Sequence, residues 1–347
     1  MKKFLTVLAA VSLAFSLALP AFAATPKVMK IGFVTARNTA QAKAMYKFAE
    51  LVETKTNGSI KGEVFPESQL GGIREMIEAT QMNVCQVYFG GAGDMAPFSP
   101  RFNLLEMHMM IPHDTFDDYA AGDAIFDSAP VMDILGDLEK IGLKGLSFWD
   151  NGYKHLLNGK RPINTLADLK GLKIRSIENQ AQVAALKNWG ALPVVIPFAE
   201  VFTSLQQGLI DGLENQIGNI INSNFYEASK HLTLSGFLYL KAPVTISKAF
   251  FDSLTDAEKK AVMEAAQEGK AYARQLLIEE EREGLEFLRS KGIQVVDQMD
   301  PKAQIEMRKL LRPMYEANIK RYDPKQGGEL MKAIDAAWAE WEKRNVR

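Results

Sequence analysis

Between Thr255 and Ser290 the chain has no proline and only two glycines, Gly269 and Gly284, and the run opens on Thr255-Asp256-Ala257-Glu258. That opening is a capping box: the threonine hydroxyl accepts from an orphan amide of the first turn, and the glutamate reaches back to the threonine amide. One helix of about 35 residues is predicted, ~50 Å long at ~1.5 Å per residue. No single domain is that wide, so the helix has to run along more than one. Its charged stretch, "IEEEREGLEFLRS" at 278–290, marks it as a solvated brace rather than a coiled coil.

Upstream, strand-like and helix-like segments alternate. Runs at 28–34, 61–66, 85–90, 143–149 and 192–197 predict strands, and helical periodicity at 39–55, 74–82, 118–141, 179–190 and 199–208 predicts helices. This order argues for an α/β chain with parallel-type sheets covered by helices. In such sheets, ligands bind beyond the carboxyl ends of the strands. The stretch "DLKGLKIRS" (168–176) reads as a further short strand through Leu172 and Ile174, and it runs into Arg175 at such an end. A guanidinium keeps its charge and does not sit at the rim of a core without a partner. Past the long helix, Pro313 is expected to kink or split the next helix, and 326–344 reads as a last amphipathic helix. There is no repeat and no Ser/Pro linker, so the two domains are expected to share crossing strands and to move as a hinge.

The chain begins with Lys2 and Lys3, an apolar run from Phe4 to Leu19, and Ala21-Phe22-Ala23. This is the pattern of a secretory signal peptide over 1–23, with Ala24 the expected first mature residue. A membrane anchor fits less well, because the apolar run is short and no stop-transfer segment follows. No later stretch is apolar for long enough to span a bilayer, so a soluble exported protein is expected. Lys plus Arg total 41 against 42 for Asp plus Glu, which leaves no basic field for nucleic acid. Cys85 is the only cysteine, so no internal disulfide can form. Its strand-like surroundings suggest a buried structural thiol.

Signs of covalent chemistry are missing. The four histidines, His108, His113, His155 and His231, show no spacing suited to zinc, and no nucleophile elbow is present. Gly91 to Ala96 follows a strand with dinucleotide-like glycine spacing, but "EMHMMIP" stands where an acidic ribose ligand belongs. These glycines are better read as points where backbone approaches another segment or a ligand closely. "WDNGYKHLLNGKRPI" (149–163), with Lys154, and "GLIDGLENQ" (208–216), with Glu214 and Asn215, are either site material or ordinary turn-forming loops. Phe198 is either core or ligand wall.

Taken together, "FPESQLGG" (65–72), "DLKGLKIRS", "PFAEVFTSLQQGLIDGLENQ" (197–216) and "SLTDAEKKAVMEAA" (253–266) resemble the solute-binding proteins of tripartite ATP-independent periplasmic (TRAP) transporters, the DctP type, across nearly the whole mature chain. The resemblance implies a two-domain periplasmic binding-protein fold with a hinge cleft and a long C-terminal bracing helix. One α/β domain would take 24–149 and about 240–290, the other 150–239, with the helices of 291–347 packed across both. It implies a periplasmic, non-enzymatic protein without cofactor or metal, expected to be a monomer. Such a protein captures a small organic anion and hands it to the small and large membrane permease subunits. By the same resemblance Arg175 pairs with the anion, Asn215 donates to its second oxygen, and Phe198 walls the pocket. Lys154 stands where the family usually has a second arginine, Gln216 where proline is usual and Phe202 where tyrosine is usual. A point charge in place of a fork weakens the case for dicarboxylates and brings in a hydroxy acid or a short sulfonate such as isethionate. A sensory protein docking on a receptor kinase could carry an identical pocket; an exported hydrolase is disfavoured.

Overall fold

A computed structural model describes residues 25–113 and 119–346. The predicted signal peptide and the first residue of the helix predicted at 118–141 lie outside this range. Within it the strands are β1 (Lys27–Gly32), β2 (Ile60–Phe65), β3 (Val87–Phe89), β4 (Leu143–Asn158), β5 (Lys173–Ser176), β6 (Leu192–Val195), β7 (Gly212–Asn215), β8 (His231–Ser247) and β9 (Gln294–Val296). They form a sheet in the order β2-β1-β3-β8-β4-β7-β5-β6, with β9 against β8.

β1 is parallel to β2 and β3, and β5 is parallel to β6 and β7. The crossover helices between them follow the predicted alternation. The first, Ala40–Lys55, starts where the Thr39 side chain accepts from the Ala42 amide. The helix Gln180–Asn188 starts in the same way, with Asn179 accepting from the Gln182 amide.

The middle of the sheet is built differently. β4 and β8 are 16 and 17 residues long and antiparallel to each other. β3 pairs with the Val244–Ile246 end of β8, while β7 pairs with the His155–Asn158 end of β4. Following the directions through these pairings, the β1–β3 set and the β5–β7 set run in opposite senses along the long strands. Their carboxyl ends therefore point at each other, toward the middle of β4 and β8. There the ladder is irregular, with register shifts between Asp150 and Tyr153 and between Lys154 and Leu156. Gly152 and Gly236 adopt left-handed φ values of 75° and 53°, conformations open to glycine at little cost. "WDNGYKHLLN" is thus not a loop. It is the second half of β4, kept in the ladder by β8 while Gly152 and the bulges bend it. "GLEN" is likewise β7.

Two helix predictions also change. The segment predicted as one helix at 118–141 is two, Ala120–Phe126 and Ala129–Gly136, followed by a 3-10 turn. Pro130 has no amide to donate to Phe126 and its ring would clash there, so the helix stops and restarts with proline in its first turn. Conversely, the helix Pro301–Tyr322 passes through Pro313 unbroken. Pro313 is on the exposed face, where water can take the Lys309 carbonyl it leaves free, and Met307, Leu311 and Tyr315 anchor the opposite face.

The long helix is Asp256–Ser290, with both bonds of the capping box formed. It packs on the helix Ala40–Lys55, crosses β4, and meets the helix Ile217–Asn222 beyond it. Alanine and glycine line its buried face, which brings it close. A side chain at Gly269 would put its Cβ 2.4 Å from the Trp149 ring, and the Trp149 indole donates to the Ala266 carbonyl at 2.8 Å. Near the middle of the long strands, Asp150 and Lys241 are fully buried and pair at 2.5 Å, with Arg274 of the long helix on the other Asp150 oxygen. Cys85 is buried and unbridged, as its surroundings predict.

Candidate functional site

The facing strand ends enclose a cavity of about 90 Å³. Val34 and Thr35 reach it from beyond β1, Gly90 and Gly91 from β3, Arg175 and Ile177 from β5, and Asn215 and Gln216 from β7. Asn151 and Lys154 enter from the bent middle of β4. A larger, mostly apolar cavity of about 420 Å³ adjoins it and shares Arg175 and Phe198. At its rim Arg74, on the helix Ile73–Gln81, holds both oxygens of Glu178, just after β5, at 3.1 Å.

All four residues singled out in the sequence line the smaller cavity. Arg175 is only 6% exposed. Its Nε donates to the Ile196 carbonyl at 3.0 Å, and it lies over the Phe198 ring, 5.8 Å from the centroid. No carboxylate of the described residues forms an ion pair with it, so the terminal nitrogens of its fork are left at the cavity wall. Burial pushes the guanidinium down to about 10, partly offset by Asp94, which still leaves it charged at neutral pH.

Lys154 is 8% exposed, and among the described residues its ammonium reaches only Gln182 Oε1, at 3.4 Å. Burial lowers its pKa, while Glu106 and Glu214 oppose the shift from beyond ion-pair distance. The Asn215 side-chain oxygen accepts from the Gln216 amide and from Asn219 Nδ2, which turns its own NH2 group away from that network. Phe198 opens the short 3-10 turn that follows β6 and packs on Phe225 at 5.8 Å. It is both a satellite of the core and a wall of the cavity.

Sequence reasoning passed over Asp94, Glu106 and His108. Asp94, inside the dinucleotide-like glycine stretch, lines the cavity and accepts from the Tyr88 hydroxyl at 2.7 Å; burial raises its pKa. Gly93 lets Glu106 come close, since a Cβ there would lie 2.6 Å from its carboxyl carbon. The reading of these glycines as points of close approach is therefore accurate. Glu106 accepts from Gln182 Nε2 at 2.5 Å. His108 is fully buried, and its Nε2 lies 2.8 Å from Glu214 Oε2. None of these three stands in a spacing that signals a ligand; Asp94 and Glu106 are identified only by lining the cavity, and His108 only by its contact with Glu214. Among the described residues no group of three or more His, Cys, Asp or Glu could hold a metal ion, and no helix is long and apolar enough to cross a membrane.

Residues 31–321 match the family model DctP, bacterial extracellular solute-binding protein, family 7. The 2,3-diketo-L-gulonate-binding periplasmic protein YiaO of Escherichia coli is 33% identical over 88% of this chain and 91% of its own. The C4-dicarboxylate-binding periplasmic protein DctP of Rhodobacter capsulatus is 31% identical over 95% and 96%. Among solved structures, a TRAP periplasmic solute-binding protein from Polaromonas bound to D-erythronate superposes with a TM-score of 0.82 at 33% identity, covering 89% of this chain and 98% of that one. The sugar acid binding protein of Advenella mimigardefordensis in complex with galactonate gives 0.84 at 26% identity, over 90% and 99%.

Proposed function

On the premise that this chain belongs to the DctP family of bacterial extracellular solute-binding proteins, we propose that it seats the anionic group of its ligand on Arg175 and hands that ligand to the TRAP membrane subunits. The family consists of periplasmic transport proteins that bind small organic acids and not of enzymes, and this chain is one of them. The observation that carries the seat is a buried guanidinium with no ion-pair partner among the described residues, at the point where four parallel-strand ends converge on a cavity. A fork of two N–H donors matches a carboxylate. Lys154 adds a second positive charge, Asn215 an amide donor, and Phe198 a flat wall.

Closure follows from the same reading. The strands β1–β3 with the far end of β8, and β5–β7 with the far end of β4, form the two domains, 24–149 with about 240–290 and 150–239. The helices of 291–347 lie across them, the bends at Gly152 and Gly236 form the hinge, and the protein works as a monomer. A leader over 1–23 is removed before Ala24. Relatives of comparable similarity bind C4-dicarboxylates, diketogulonate and sugar acids, so the candidate ligands here are a hydroxy acid, a C4-dicarboxylate and a short sulfonate such as isethionate.

Native mass spectrometry of the purified protein identifies the acid it carries, and titration calorimetry with that acid tests the seat. Arg175→Ala should lose about 2–5 kcal/mol of binding, the cost of burying an anion without its partner. A variant that binds within threefold of wild type would rule Arg175 out.

A further inference from the structure

Glu280, on the long helix, touches the start of one helix from each side of the cleft. Its Oε1 accepts from the Ala40 amide at 2.8 Å, at the first residue of the helix Ala40–Lys55. Its Oε2 faces Gly218 in the first turn of the helix Ile217–Asn222, where a Cβ would run into the carboxylate. One turn along the long helix, Gly284 allows the same close approach to Ile217.

These contacts lie outside the ligand cavity. Glu280 lines a separate cavity of about 270 Å³ where the three helices meet, and the two cavities share no lining residue. The neighbours of the contacts do reach the ligand: Gln41 follows Ala40, and Gln216 and Asn219 flank Ile217 and Gly218. They are joined across the bend of β4. Gln41 Nε2 donates to Asn151 Oδ1 at 2.5 Å, Gln216 Nε2 to the Asn151 carbonyl at 2.8 Å, and Asn219 Nδ2 to Gln216 Oε1 at 3.1 Å. This polar chain crosses the cavity wall from the β1–β3 side to the β5–β7 side, and Glu280 spans the same two helices from outside the cavity.

Resting on the reading of a hinged cleft with its anion seat at Arg175, we propose that Glu280 is a positioning residue that sets the spacing of the two helix starts in the closed cleft, and with it the placing of Gln41, Asn151, Gln216 and Asn219 against the bound acid. The long helix packs along Ala40–Lys55, so opening carries Gly218 away from Glu280 and admits water to the carboxylate. Burial pushes this carboxyl up to about 7, against the pull of the Ala40 amide and of Lys43. Ile217–Asn222 has no ionisable side chain, and the neighbouring acids Glu279, Glu281 and Glu283 belong to the long helix itself. Opening returns Glu280 toward its ordinary value of 4.5. Closure therefore takes up a proton between these values, and affinity falls as pH rises through that interval and levels off above about 7.

Titration calorimetry tests this with D-erythronate, 2,3-diketo-L-gulonate, succinate and the acid recovered by native mass spectrometry, the tightest binder serving as probe. Wild-type affinity should fall at least about fivefold from pH 5.5 to pH 7.5, and that fall should be at least about threefold smaller in Glu280→Gln, which keeps the acceptor for Ala40 but does not titrate. In buffers of different ionisation enthalpy at pH 6, wild type should take up about half a proton more than Glu280→Gln on binding. At pH 5.5 Glu280→Gln should bind within about threefold of wild type, and Glu280→Ala at least about fivefold more weakly, both variants being shown by melting to be folded. Equal pH profiles and equal proton uptake in wild type and Glu280→Gln overturn the proposal. So does Glu280→Ala binding within twofold of wild type. In either case, loss of binding in Arg175→Ala leaves the anion seat standing. A wild type that binds none of the four acids overturns the anion seat, and this inference with it.

Discussion

At the scale of the residue, the site is a set of charges held in deficit. Arg175 has no ion-pair partner among the described residues, and Lys154 sits among Glu106, Glu214 and Asp94 without touching any of them. Lys154 neutralises part of the field of those carboxylates, so it supports the pocket even without ligand. Lys154→Met keeps most of the stem but removes the charge. It should weaken binding of the carried acid by about 1–3 kcal/mol, since charge-assisted bonds of this kind contribute about that much. Calorimetry checks it, and an affinity unchanged within a factor of two would show that Lys154 serves the fold alone. Arg175 is legible in the sequence because a short strand ending on a lone arginine is an anomaly by itself. Glu106 is not, because "NLLEMHMM" has the composition of ordinary core and only the tertiary fold turns Glu106 toward the cavity and sets His108 behind Glu214.

At the scale of the element, the long helix was readable down to its first residue. A capping box and the absence of breakers are local signals, and nothing in the tertiary structure overrides them. β4 was read only as far as Trp149. A strand bent by a glycine and held by its neighbour through non-local pairing has the local composition of a turn. The long helix also hides two carboxylates that its charged sequence suggested were solvated. Glu280 accepts from the Ala40 amide at 2.8 Å, while Glu281 is fully buried against Gly152, near Tyr119, Asp150 and Tyr153. Burial pushes Glu280 up to about 7 and Glu281 up to about 8. The folded state therefore holds protons that the unfolded chain releases from about pH 4.5 upward, and stability falls as pH rises toward 8. Glu281→Gln should flatten that fall and add about 1–3 kcal/mol at pH 8, within the usual range for a single substitution. Urea unfolding at pH 5 and pH 8 measures it; an equal pH slope in both proteins would contradict the assignment.

At the scale of the whole molecule, Arg74 and Glu178 join the β1–β3 side to the β5–β7 side across the cleft mouth. Both are largely exposed, so the pair adds little to stability but lies where an opening cleft must part. Arg74→Ala should speed ligand release about two- to fivefold and reduce the dependence of release on salt, as expected for one exposed ion pair. Stopped-flow displacement reads both; an off-rate equal to wild type at low salt would leave the pair no part in opening. The central position of β8 has one more consequence, for the order of assembly. This strand sits between β3 and β4, yet only β9 and the trailing helices come after it in the chain. A ribosome therefore delivers the middle plank of the sheet after both flanks, and β3 keeps a bare edge until about residue 247 has emerged. Neither flank can be completed as an autonomous fragment, and a cut at any single point upstream of β8 leaves an amino-terminal piece with that edge still open.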